Sequence, residues 1–201
     1  FRRGKPSAHK KFGEASAVLA GSSLLTLAFE IISDKKYIIN PKLKNEIVES
    51  LARCSGHTGI AEGQELDLKF ENKKKNLNQI IDMQKKKTGK LFNFCLYAVG
   101  VIANKTNKEK KFLSNLGEEI GLLFQLADDF LDKKGAQHLL GKPVKKDNKK
   151  GKSTLLNLMG EKKAYLYANN LKKKILRKLK KHGRKAKELT RTIEFILERK
   201  F

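Results

Sequence analysis

From Gly13 to Ser33 the chain carries apolar groups on every side of a would-be helix: Ala15, Ala17, Val18, Leu19 and Ala20, then Leu24, Leu25, Leu27, Ala28, Phe29, Ile31 and Ile32. A helix apolar all round has no face to give to water, so it belongs at the centre of a core. The rest of the sequence offers only helices as its neighbours. Apolar residues recur at spacings of three and four rather than two, strand signals are nearly absent, and no repeat of fixed period is present. The expected fold is all-α, a bundle with buried central helices.

After the stop at Asp34-Lys35-Lys36, Asn40-Pro41 marks a loop and the entry to a helix over about 42–57. The stretch from Thr58 to Asp67 either continues it or starts a new turn. A short helix is predicted over 76–86, ending at Lys87-Thr88-Gly89. A very apolar helix follows over 91–103, and a long one over about 109–133 that stops near Gly135. A Lys-heavy connector (135–153) leads to two last helices, about 161–181 and 184–200, with Gly183 as the break.

The long helix holds the clearest chemical signal. Gln125, Asp128, Asp129 and Asp132 share one narrow face at about 100° per residue. Leu122, Leu123, Phe124, Leu126, Ala127, Phe130 and Leu131 cover the remainder. Neighbouring carboxylates on a helix repel, and Asp132 sits next to the expected helix stop, where the dipole disfavours an anion. A divalent cation removes both costs, and hard oxygen donors suit Mg²⁺. Two readings stay open on this pattern alone: a solvated acidic face, or a magnesium site.

Four basic elements could complement it. Arg2-Arg3-Gly4-Lys5-Pro6 sets two guanidinium forks side by side, which suits a diphosphate. Lys87-Thr88-Gly89 offers a cation and a hydroxyl at a predicted helix break. Gly141-Lys142 and Gly151-Lys152-Ser153-Thr154 let backbone approach an anion while an ammonium closes on it. Each alone is also an ordinary solvated turn. Gly151-Lys152-Ser153 resembles the end of a P-loop, but Lys146 stands where that loop needs glycine and no strand precedes it. Cys54-Ser55-Gly56-His57 is half of a zinc site with no second half.

The formal charge of +24 raises nucleic-acid binding as a function. The lysines are spread over connectors and polar helix faces, and a chain with no Trp and few Tyr lacks stacking platforms for single strands. Nucleic acid is therefore not expected as a partner. Two distant cysteines, Cys54 and Cys95, give no disulfide framework and fit a reducing, cytoplasmic setting. No apolar run is read as long enough to cross a membrane, so no stable insertion is expected.

Taken in order, the motifs resemble a known family. Arg2-Arg3-Gly4-Lys5-Pro6-Ser7-Ala8-His9, Phe12-Gly13-Glu14-Ala15, Leu19-Ala20-Gly21, Lys87-Thr88-Gly89, Phe124-Gln125-Leu126-Ala127-Asp128-Asp129-Phe130-Leu131-Asp132, Leu140-Gly141-Lys142-Pro143-Val144 with Asp147, and Gly151-Lys152-Ser153-Thr154 look like the ordered motifs of the short-chain trans-isoprenyl diphosphate synthases. They are nearest those of the bacterial farnesyl type, with geranylgeranyl diphosphate synthases as the alternative. A basic, non-enzymatic helical nucleic-acid binder is the reading from a different class.

The resemblance implies an isoprenoid-synthase-type helical bundle around a central apolar cavity. It also implies a homodimer and a Mg²⁺-dependent condensation of isopentenyl diphosphate with an allylic diphosphate (dimethylallyl or geranyl) to farnesyl diphosphate. By position it implies Asp128, Asp129 and Asp132 as metal ligands, with Arg2 on the allylic and Arg3 on the isopentenyl diphosphate. Lys87, Thr88, Gln125, Lys142 and Lys152 would surround the leaving group and nascent cation. The family's first aspartate-rich motif, expected just before Arg2, is not in the sequence. Residues 1–201 are accordingly expected to be the C-terminal two-thirds of one domain, inactive alone.

Overall fold

The computed structural model describes residues 5–37, 39–140 (side chains to 133) and 154–198. The elements run α1 (Ala8–Phe12), α2 (Glu14–Ser33), α3 (Pro41–Ser55), α4 (Ile60–Lys69), α5 (Leu77–Gln84), a π turn (Lys85–Gly89), α6 (Lys90–Ile102), α7 (Asn107–Leu140), α8 (Leu155–Met159), α9 (Glu161–Lys180), a 3₁₀ turn (Gly183–Ala186) and α10 (Lys187–Ile196). There is no β-strand among the described residues. The all-α expectation holds.

The chain divides into two compact units, 1–51 and 52–200. In the first, α1 leads through Gly13 (φ 87°) into α2, and α3 begins at Pro41. The sequence reading makes α2 a core helix. In the structure none of its residues is buried. Leu19 and Leu24 each expose two-thirds of their surface. The apolar pattern records that α2 needs cover but not which surface supplies it. The same 20-residue helix is long and apolar enough to cross a membrane by length and composition, which corrects the expectation that no run reaches that length.

In the second unit α7 is the spine. Gly121 faces Gly89 and Gly117 faces Asn93, while Phe92 and Phe124 stack with ring centroids 5.4 Å apart. Rising residue numbers on α6 meet falling numbers on α7, so the two are antiparallel. A methyl on Gly121 would lie 2.6 Å from Gly89 Cα, so glycine here permits backbone-to-backbone approach. On another side of α7, α9 also runs antiparallel. Lys133 pairs with Glu161 at 2.8 Å near one end, and Lys174 and Lys178 reach Glu119 at 3.0 and 2.7 Å near the other.

The spacing of Ala164, Ala168, Leu171, Ile175 and Leu179 gives α9 one buried stripe and leaves its lysines outside. Ala168, Leu171, Ile175 and Leu179 join Leu116, Ile120, Leu123, Leu126, Leu155, Ile193 and Ile196 in one core. Enclosing each Leu or Ile there stabilises the fold by roughly 1.5–3 kcal/mol.

Two predicted breaks are not breaks. Lys87-Thr88-Gly89 lies inside a continuous helical run from Leu77 to Ile102, wound one residue wide as a π turn. Gly89 is buried there against α7, so it serves close packing. Gly135 likewise does not stop α7, which continues to Leu140. Asp132 is therefore about two turns from the helix end, and the dipole cost expected for it largely disappears. The short α8, which falls between the connector and the next predicted helix and is not expected from the sequence, is set by Thr154, whose side chain accepts a hydrogen bond from Asn157 N.

Candidate functional site

The site lies where the π turn and the end of α5 face the acidic stretch of α7. The Asn76 and Gln79 side chains start α5 with a reciprocal capping box. Ile80, Met83 and Gln84 are then carried inward at helical spacing, and all three are buried. A π turn follows, a device often found at functional sites. It sends Lys87 and Thr88 to two different helices. Lys87 forms an ion pair with Asp67 of α4. Thr88 Oγ1 donates to Gln125 Oε1 of α7 at 2.7 Å.

The chain of contacts continues from Gln125. Its Nε2 donates to Asp129 Oδ1 at 3.0 Å, and Gln84 Nε2 donates to Asp129 Oδ2 at 3.1 Å. Gln84 and Thr88 are four residues apart on one run, and Gln125 and Asp129 four apart on the antiparallel helix. The four side chains close into a clasp between the two. Gln84 is 2 % exposed, and its carbonyl oxygen is buried with no hydrogen-bond partner among the described residues. Such an orphan costs about 1–3 kcal/mol.

Burial pushes the Asp129 carboxyl up from 3.8 to about 6. The N–H groups of Gln125 and Gln84 oppose that shift, and the charges of Asp132 and Asp128 add to it. Asp128 is half-buried on the same face, and Asp132 is exposed.

Of the residues expected at the site, the structure brings Thr88, Gln125 and Asp129 into direct contact. It places Lys87 on the same turn with its ammonium on Asp67. Arg2, Arg3, Lys142 and Lys152 lie outside the described residues. Sequence reasoning missed Gln84 and Asp67. Both signals were there: Gln84 stands in register with Ile80 and Met83, and Asp67 with Gly63, Leu66 and Phe70. A polar group at a core-facing position requires a partner.

Three further ion pairs frame the turn. Lys86 reaches Glu62 at 2.7 Å and Asp82 at 3.1 Å, and Lys90 reaches Glu118 at 2.6 Å. A methyl on Gly63 would overlap the Lys87 backbone, so α4 rests directly on the π turn.

Among the described residues, no three His, Cys, Asp or Glu side chains converge as a metal cage. Magnesium does not need one: it keeps several waters and binds through one or two carboxylates plus substrate phosphate oxygens. Asp128, Asp129 and Asp132 supply hard oxygens on one helix face. A carboxylate has about four lone-pair sites, and the two amides take only two of those on Asp129. The donor set fits a Mg²⁺ shared with a phosphate ligand. A separate groove of ≈ 460 Å³ lies off the acidic face, lined by Ala127, Phe130 and Leu131 of α7 with Tyr165, Ile196 and Leu197 among others.

Comparison with known proteins bears out the family resemblance. The chain is 38% identical over 166 residues to farnesyl diphosphate synthase of Geobacillus stearothermophilus, covering 81% of this chain and 56% of that one. It spans little more than half the length of such curated relatives. An apo structure of an FPP/GFPP synthase from Zymomonas mobilis superposes with a TM-score of 0.83 at 36% identity, covering 98% of this chain and 66% of that one. The Helicobacter pylori geranyltransferase, complexed with magnesium and isoprenyl diphosphate, gives 0.80 at 31% identity, with 98% and 64% covered. The polyprenyl synthetase profile matches residues 1–195. With its motifs, its helical architecture and nearly its whole length in agreement, the chain belongs to the polyprenyl synthetase family.

Proposed function

We propose that the chain carries the second metal-binding face and part of the diphosphate site of a trans-prenyltransferase of the farnesyl type. The reaction joins isopentenyl diphosphate to dimethylallyl or geranyl diphosphate. The allylic C–O bond breaks and its electron pair leaves with the diphosphate. The isopentenyl double bond then attacks the allylic cation to form the new C–C bond. A proton is lost from the adduct to the released diphosphate, regenerating a double bond.

The observation that carries this reading is the chain of hydrogen bonds from Thr88 through Gln125 to Asp129, the point where a cation-bearing turn meets an acidic helix face. Asp128, Asp129 and Asp132 would hold Mg²⁺, which supplies positive charge against the departing diphosphate. Lys87, and by sequence position Arg2, Arg3, Lys142 and Lys152, add fixed positive charge. Oriented oxygens of Thr88 and Gln125 are suited to stabilise the forming cation. Leu122, Leu126 and their neighbours keep the rear of the face dry.

A homodimer, a cytoplasmic setting and no nucleic-acid partner belong to the same reading. Exposed Leu91, Val99 and Ile102 on α6 support the first. The second is supported by Cys54 and Cys95, neither of which is in a disulfide. Lysines already engaged by carboxylates, such as Lys86, Lys174 and Lys178, support the third.

The test is transfer of labelled isopentenyl diphosphate in the presence of Mg²⁺, by the chain alone and by the chain joined to the N-terminal part of the G. stearothermophilus relative. Replacing Asp128 and Asp129 by Ala should lower turnover at least about 100-fold. Condensation that survives both substitutions unchanged would remove the acidic face from the mechanism.

A further inference from the structure

We propose that Gln84 is a positioning residue: its amide fixes the Asp129 carboxylate and so ties the acidic face of α7 to the turn that carries Lys87 and Thr88. The inference rests on the magnesium–diphosphate reading given above and names a residue that acts through the site without touching the ligand.

Packing alone does not account for Gln84. Its register partners Ile80 and Met83 are apolar, and an apolar side chain in its place would leave no orphaned oxygen. Here one end of a buried amide goes without a partner among the described residues, while the other donates to Asp129 Oδ2 at 3.1 Å. Gln125 takes the opposite oxygen at 3.0 Å. Each oxygen of one carboxylate therefore receives an N–H from a different helix, which fixes both the plane and the rotamer of the group. Gln125 donates from within α7 itself, so it cannot fix α7 relative to α5. Gln84 is the donor to this carboxylate that crosses between them, one turn from where Thr88 crosses to Gln125. A donor holding a ligating carboxylate in this way commonly changes metal affinity 10–100-fold when removed.

The experiment uses the 201-residue chain and measures uptake of inorganic diphosphate by calorimetry with and without Mg²⁺. Gln84→Met keeps the length of the side chain and removes the N–H, and Gln84→Leu provides a second apolar replacement should Met pack poorly. Both should melt at or above the unsubstituted chain while Mg²⁺-dependent affinity for diphosphate falls about 10–100-fold. Affinity within twofold of the unsubstituted chain, with Asp128→Asn still weakening it, overturns the role of Gln84 and leaves the metal face standing. A fall in affinity matched by a fall in melting temperature also overturns it, since that is loss of fold. No Mg²⁺-dependent uptake by the unsubstituted chain, or uptake indifferent to Asp128→Asn, overturns the metal reading and the positioning role together.

Discussion

Asp129 offers a prediction whose sign is opposite to that of most paired carboxylates. Its carboxyl titrates near 6 rather than 3.8 because burial outweighs the two amide donors. The folded chain therefore binds more protons than the unfolded one between about pH 4 and 6, and stability falls as pH rises through that window. A shift of about two pH units corresponds to roughly 3 kcal/mol of destabilisation, fully present above about pH 6 and absent below about pH 4. Asp129→Asn removes the charge, but its NH2, unlike the hydroxyl oxygen of the protonated acid, cannot accept one of the two N–H groups that Gln125 and Gln84 donate. The variant should therefore fall about 1 kcal/mol below the unsubstituted chain at pH 4 and exceed it by up to about 2 kcal/mol at pH 7.5. For a domain of this size the gain at pH 7.5 is about 4–8 °C in melting temperature.

Thermal melts of both chains at pH 4, 5, 6 and 7.5, without divalent cations, read the difference directly and cancel every other titrating group. Adding Mg²⁺ with diphosphate should shrink the gap at pH 7.5, since a ligand at 100 times its Kd stabilises the binding-competent chain by about 2.7 kcal/mol. Parallel melting curves across the pH range would show that burial does not dominate at Asp129. A variant less stable than the unsubstituted chain at pH 7.5 would show that the amide donors do.

Gly63→Ala should destabilise the chain by about 1–3 kcal/mol in urea unfolding, because its methyl must displace the Lys87 backbone. The same displacement should weaken Mg²⁺-dependent diphosphate binding. Glu119 has the opposite linkage to Asp129: burial raises its carboxyl, but hydrogen bonds from Lys178 and Lys174 outweigh it and hold the group below its ordinary value of 4.5. Its stabilisation is present above pH 4.5 and lost as pH falls through the lower folded value. Glu119→Gln should accordingly cost about 1 kcal/mol at pH 7 and converge on the unsubstituted chain in acid.

Much of the fold was legible because helices of this chain are amphipathic in a plain way. The stripe on α9 and the apolar body of α6 follow from spacing alone. Where the reading failed, local pattern lacked the deciding information. Gly135 has the composition of a stop, yet a single glycine costs a helix only about 1 kcal/mol, and α7 runs through it. Asp128, Asp129 and Asp132 stood out because three carboxylates on an otherwise apolar helix have few structural uses. Gln84 did not, because one amide among many polar residues draws no notice until its core register is counted.

The π turn explains why that count was hard to make. Periodicity at 3.6 residues per turn, carried without interruption through 77–102, goes out of phase by one residue at Lys85–Gly89. A reader who keeps the phase on either side must break the run, and Lys87-Thr88-Gly89 looks like the place to do so. The extra residue is what lets one short turn serve two helices. Lys87 leaves toward Asp67 on α4 and Thr88 toward Gln125 on α7. Gln84, one turn earlier, reaches the same α7 face one turn further along, at Asp129. The irregularity that hides the site from a periodicity count is thus the one that holds its cation, its hydroxyl and its buried carboxylate in register.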